Sequence, residues 1–143
     1  MVYLDTSALI KRYVPEANSE AFDAYFIAQA PASISRLGLV EIRCALARKR
    51  RNNNISAERE KAAMDEVRTD IQDGVLIVQP TGDVHFAEAL HLIDQIVEAP
   101  LRSLDALHLA IAKSLKTSEL ATADAVMRQA AQSLGMSIAY FGD

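Results

Sequence analysis

Four acidic residues stand where this chain could do chemistry. Asp5 stops the short apolar run Val2-Tyr3-Leu4, and Asp124 stops Leu120-Ala121-Thr122-Ala123. Glu41 lies between Val40 and Ile42, and Asp105 opens Leu104-Asp105-Ala106-Leu107-His108-Leu109-Ala110. Both strand-like runs are followed by helical spacing. In an open parallel sheet the C-terminal strand edges line one crevice, so residues far apart in sequence can meet there. Four carboxylates at one crevice repel each other unless a cation joins them. Mg²⁺ or Mn²⁺, hard ions that take oxygen ligands and often keep waters, would serve. The chemistry these positions could support is a divalent-cation site.

Each acid also has a structural explanation. Asp5 or Ser7 could cap the first helix, Thr122 or Asp124 the last, and Ser103 or Asp105 the sixth. Glu41 sits mid-helix, on either a solvated face or the crevice. Capping and metal binding are compatible, because a helix N-terminus favours a carboxylate and leaves oxygen lone pairs over. Other chemistries are poorly served. With 5 glycines there is no glycine-rich phosphate loop. The three histidines lack metal spacing. His85 and His91 are expected on helix surfaces, and His108, three residues after Asp105, as a packing or hydrogen-bonding residue rather than a base. Ser7 occupies the place where an aspartyl phosphatase usually carries its second aspartate.

The elements that must position these residues alternate. Strands are expected at Val2–Leu4, Ala32–Ile34, Val75–Val78, Leu120–Thr122 and Ser137–Tyr140. Helices are expected at Ala8–Val14, Ser19–Gln29, Ser35 to about Asn52, Ser56 to near Gly74, Asp83–Val97, Ser103 to about Lys116, and Ala125–Leu134. This order implies an α/β fold, a three-layer α/β/α sandwich on a mostly parallel central sheet. With no repeat or linker, residues 1–143 read as a single domain. Tyr13, Phe22, Tyr25 and Phe26 are expected in the core, although helices so apolar could also form a groove for a partner helix.

The single cysteine, Cys44, excludes an intrachain disulfide. It is expected in the core beside Ile42, Ala45 and Leu46, and fits a reducing compartment. No basic leader is visible, and no run approaches the roughly 20 apolar residues a bilayer requires. The expectation is a soluble, cytoplasmic protein with no membrane partner. The net charge of −4 argues against indiscriminate nucleic-acid binding. It conceals a basic stretch: Arg36, Arg43, Arg48, Lys49, Arg50 and Arg51.

Tyr3-Leu4-Asp5-Thr6-Ser7-Ala8-Leu9-Ile10-Lys11 resembles the first motif of PIN-domain ribonucleases, specifically the VapC-type toxins of type II toxin–antitoxin pairs. Leu39-Val40-Glu41, Ser103 to Ala110, Ala121-Thr122-Ala123-Asp124 and the closing Ala131–Met136 match in order. The resemblance covers nearly the whole chain, although residues from about 52 to 100 carry no matching motif. It implies a PIN-like fold and a metal-dependent endoribonuclease toxin. Asp5, Glu41, Asp105 and Asp124 would be the catalytic acids and the ligands of Mg²⁺ (or Mn²⁺), with Ser7 and Thr122 supporting them by hydrogen bonds. It also implies an RNA substrate, a cognate antitoxin and a homodimer.

Arg48 lies seven residues after Glu41, nearly the same helical face and roughly 10 Å along the axis. Arg48, Lys49 and Arg51 are therefore expected to hold RNA phosphates, unless they only complement the helix C-terminal dipole. Two other functions remain open from the sequence: a non-catalytic PIN-like interaction module, and a metal-dependent phosphoesterase on small substrates.

Overall fold

A computed structural model describes all 143 residues. Five strands, β1 (Tyr3–Leu4), β2 (Ala32–Ser35), β3 (Leu76–Gln79), β4 (Leu120–Thr122) and β5 (Ile138–Tyr140), form one sheet. Seven helices join them: α1 (Thr6–Tyr13), α2 (Ser19–Gln29), α3 (Arg36–Arg51), α4 (Ala57–Gln72), α5 (Asp83–Gln95), α6 (Ser103–Ser114) and α7 (Ala125–Ser133). Every pairing is parallel, in the order β3-β2-β1-β4-β5. The sheet is thus wholly rather than mostly parallel, as strand–helix–strand crossovers favour.

Strand pleating sorts side chains between two layers. Val2 and Leu4 enter one apolar cluster with residues of α1 to α4, including Phe22, Phe26, Ile42, Leu46 and Val67. Tyr3, between them, points the other way, into a second cluster with α5, α6 and α7. Tyr13, Phe22 and Phe26 are buried in the first cluster and Tyr25 packs against it partly buried, so all four contribute to the core. On α3 the inward positions are Gly38, Ile42 and Leu46, four residues apart. Cys44 falls half a turn from that stripe and is exposed, contrary to the core position expected of it. The helical phase decides this, whatever the hydrophobicity of its neighbours.

This strand order fixes where a site can form. The chain winds outward from β1 through β2 to β3, then returns to place β4 and β5 on the other side of β1. The winding reverses between β1 and β4, and the crevice beyond their C-terminal ends is left uncovered. Asp5 follows β1 directly, and Asp124 comes two residues after β4.

Candidate active site

Asp5 caps α1, accepting the amide N–H of Ala8 (3.1 Å) and the hydroxyl of Ser7 (2.7 Å) on Oδ1. Its Oδ2 accepts the hydroxyl of Thr122 at 2.6 Å, which ties β1 to β4 at the reversal. Thr122 Oγ1 in turn accepts the amide N–H of Asp124 (3.0 Å), and Ser7 Oγ accepts that of Ala123 (2.9 Å). Ser7 and Thr122 thus both hydrogen-bond the Asp5 carboxylate. Asp124 caps α7, its Oδ1 accepting from the amides of Val126 (2.8 Å) and Met127 (3.1 Å). Asp105, in the first turn of α6, accepts the amide N–H of Arg102 on Oδ2 at 3.1 Å. The capping roles are real, and they leave chemistry over. Asp105 Oδ1 and Asp124 Oδ2 make no hydrogen bond within the protein, and Asp5 uses only part of its acceptor capacity.

Glu41 is held differently. Its Oε1 accepts the hydroxyl of Thr6 at 2.8 Å and a short hydrogen bond from His108 Nε2. Its Oε2 is left without a protein partner. Thr6 and His108 are functional neighbours that the acidic pattern alone did not reveal. His108 is indeed a hydrogen-bonding residue, and its position one turn after Asp105 was the available clue.

The electrostatics separate the acids. Burial pushes the Asp5 carboxyl above the ordinary range, against the charge of His108 and the hydrogen bonds from Thr122, Ser7 and Ala8. Asp105 is also raised, by burial first and then by the negative charge of Asp124, with the Arg102 amide opposing. Mutual raising is not general among the four. Burial raises Glu41 too, but the hydrogen bonds from His108 and Thr6 outweigh it and hold that carboxyl low.

The donor set suits a hard cation. It consists of carboxylate and hydroxyl oxygens, and three of the carboxylates each keep one oxygen unused. No three His, Cys, Asp or Glu side chains close to direct metal-ligand spacing as they stand.

A cleft of about 630 Å³ lies along α3, lined by Thr6, Ser7, Glu41, Cys44, Arg48 and Lys49 among others; Glu41 lines it, whereas Asp5, Asp105 and Asp124 do not. Glu41 and Arg48 thus share one face, as their seven-residue spacing requires. The basic stretch itself divides. Arg43 and Arg50 both pair with Glu60, and Lys49 pairs with Glu16 at 2.9 Å. Arg36, Arg48 and Arg51 are exposed and take part in no ion pair. Lys49 reaches a ligand only by releasing Glu16, so it is less available than its sequence position suggested.

The PIN domain family matches residues 2–133. Ribonuclease VapC46 of Mycobacterium tuberculosis is 32% identical over 139 residues, covering 96% of this chain and 95% of that protein. Ribonuclease VapC47 of the same species is 33% identical over 120 residues, covering 81% and 77%. Among solved structures, Mycobacterium tuberculosis VapC20, described as a sarcin-ricin loop cleaving toxin, superposes with a TM-score of 0.72 at 17% identity. That match covers 91% of this chain and 95% of the other, and it speaks for the fold. No helix is long and apolar enough to cross a membrane.

Proposed function

This chain belongs to the PIN-domain family, among its VapC-type ribonucleases, and from that premise we propose that it is a metal-dependent endoribonuclease acting as the toxin of a toxin–antitoxin pair. One observation carries the reading. Asp5 and Asp124 follow the adjacent strands β1 and β4, Glu41 is tied to Thr6 beside Asp5, and Asp105 is raised by burial and then by the charge of Asp124. The hydrogen bonds of Glu41, Asp105 and Asp124 each leave one carboxylate oxygen without a protein partner.

Asp5, Glu41, Asp105 and Asp124 would hold Mg²⁺ or Mn²⁺. A divalent ion so held supplies a more acidic water and offsets charge on the scissile phosphate. The chain's own residues do the rest. Ser7 and Thr122 fix the Asp5 carboxylate and favour its charged form against burial. Arg48 holds an RNA phosphate along the cleft, with Arg51 beyond it and Lys49 joining once Glu16 lets go. The substrate is RNA, and the regulatory partner is a cognate antitoxin. The homodimer remains a proposal that sedimentation of the purified protein decides.

The direct test incubates the purified protein with RNA and Mg²⁺, with and without EDTA, beside an Asp5→Asn variant. Cleavage should vanish with EDTA and fall on the order of 10²-fold or more in the variant, the scale of losing charge stabilisation at a reacting centre. Full activity in Asp5→Asn would sink the metal mechanism. Hydrolysis of a simple phosphodiester as fast as RNA would point to a small-molecule phosphoesterase. No hydrolysis of either would point to a binding module.

A further inference from the structure

Behind Glu41 lies a polar chain that the acidic site does not require. Tyr3 and Ser35 are fully buried and His108 is 3% exposed. Tyr3 belongs to the apolar cluster of α5, α6 and α7, where a phenylalanine would pack equally well. Its hydroxyl nevertheless lies 3.0 Å from Ser35 Oγ and 2.7 Å from His108 Nδ1. Ser35 Oγ is itself anchored by the amide N–H of Gly38 at 3.0 Å, in the first turn of α3. The other ring nitrogen of His108 meets Glu41 Oε1. A carboxylate accepts hydrogen bonds, so Nε2 is the donor in that contact.

Burying three polar side chains in a hydrophobic layer is costly unless each is satisfied, and a partly satisfied network is worse than an apolar core. Here every link is made, and the chain ends on a carboxylate of the site. With both nitrogens engaged, the imidazole cannot rotate. Thr6 and His108 therefore both grip Oε1 from within the fold. The second oxygen of Glu41 is left without a hydrogen-bond partner.

We propose that His108, oriented by Tyr3 and Ser35, is a positioning residue that fixes the Glu41 carboxylate through Oε1 and so leaves Oε2 free for a cation and its waters. The inference rests on the nuclease reading above. His108 touches neither RNA nor the reacting atoms; it acts through Glu41. Buried groups that orient metal-site carboxylates typically matter by about 10–100-fold in metal affinity or turnover.

The test compares His108→Leu, His108→Gln and Tyr3→Phe with the unaltered protein. Two readouts are used: Mn²⁺ binding to the metal-free protein by isothermal titration, and kcat and KM for RNA cleavage. His108→Leu should weaken Mn²⁺ binding about 10-fold and lower kcat about 10–100-fold, with KM changed less than about twofold. His108→Gln can place an amide N–H near the Nε2 position and should recover most of both losses. Tyr3→Phe keeps the shape of the core and should show the same kcat-selective pattern, milder, even if the leucine variant folds poorly. In a double-mutant cycle, Glu41→Gln should abolish the effect of His108→Leu.

Equal Mn²⁺ binding and kcat in Tyr3→Phe and His108→Leu relative to the unaltered protein, or additive effects of the Glu41 and His108 changes, would overturn the proposal. So would a glutamine variant no better than leucine. Failure of the unaltered protein to bind Mn²⁺ or cleave RNA would instead count against the nuclease reading, which keeps the two failures apart.

Discussion

Thr122 Oγ1 donates a 2.6 Å hydrogen bond to Asp5 Oδ2 across 117 positions of sequence. The two residues close the ends of adjacent parallel strands at the point where the winding of the sheet reverses. The bond opposes the burial that pushes the Asp5 carboxyl upward, and so does the one from Ser7. Removing the hydroxyl with Thr122→Val should therefore raise the Asp5 pKa further. Cleavage needs the ionised acid, so the acidic limb of the rate–pH profile should move to higher pH. At neutral pH the loss should be about 10–100-fold, as for other groups that orient a ligand. An unmoved acidic limb, measured under single-turnover conditions, would detach Thr122 from the chemistry.

Stability should respond in the opposite sense. A carboxyl whose pKa is raised on folding binds its proton more tightly in the folded than in the unfolded chain. Its favourable contribution is present at low pH and lost as pH rises through the folded-state value. Ionised Asp5 therefore burdens the metal-free fold at neutral pH. Asp5→Asn should stabilise the EDTA-treated protein at pH 7 by about 1 kcal/mol, while abolishing cleavage. The gain should shrink as pH falls toward the ordinary aspartate range. Urea unfolding at several pH values measures it; a variant destabilised equally at all of them would contradict this account.

Much of this arrangement is legible in the sequence, because local signals and chemistry coincide. Ser19–Gln29 and Leu120–Thr122 form the helix and strand that their periodicity and flanking residues indicate. The first helix begins at Thr6 rather than Ala8, because Asp5 caps it; that turn carries Thr6 toward Glu41. Tyr3 and His108 were invisible as site residues for a different reason. Each sits in an apolar pattern, and only the long-range pairing of β1, α3 and α6 around them reveals their polar atoms as linked. Strand order is equally non-local, since parallel strands joined by helices carry no sequence mark of their neighbours. Cys44 shows the converse limit: apolar neighbours suggested core, but the phase of Ile42 and Leu46 turns it outward.

The same helix supplies a paired stability test. Ile42 and Leu46 are fully buried against α1 and α4, so Leu46→Ala should cost about 2–5 kcal/mol through lost transfer energy and a residual cavity. Cys44→Ala should stay within about 0.5 kcal/mol, as exposed substitutions do. The folded protein should also react with a thiol reagent at close to the rate of the unfolded chain. Slow labelling that required denaturant would place Cys44 inside after all.

The basic run should split in function as it does in geometry. Arg48→Ala should weaken RNA binding and reduce the slope of log affinity against log salt by about 1, because one phosphate contact is lost. Arg43→Ala should leave that slope unchanged, since Arg43 is committed to Glu60. Its cost should appear as a small loss of stability instead, since Arg43 itself is half exposed. Filter binding at three or four salt concentrations decides, and equal slopes for Arg48→Ala and the unaltered protein would remove Arg48 from the RNA path.

Metal binding should appear as stability with a definite pH dependence. An ion that binds only the folded chain at 100 times its Kd adds about 2.7 kcal/mol, or roughly 8 °C in Tm at this chain length. Asp5 and Asp105 must lose their protons to hold it, and both titrate above the ordinary aspartate range. Mn²⁺ should accordingly raise Tm most at neutral pH and progressively less as pH falls through those raised values. Asp105→Asn removes one of the two raised groups together with a ligand charge. It should weaken Mn²⁺ binding and make what remains less sensitive to pH. A Tm shift of equal size at every pH, or one undiminished in Asp105→Asn, would mean that the ion binds elsewhere on this acidic chain.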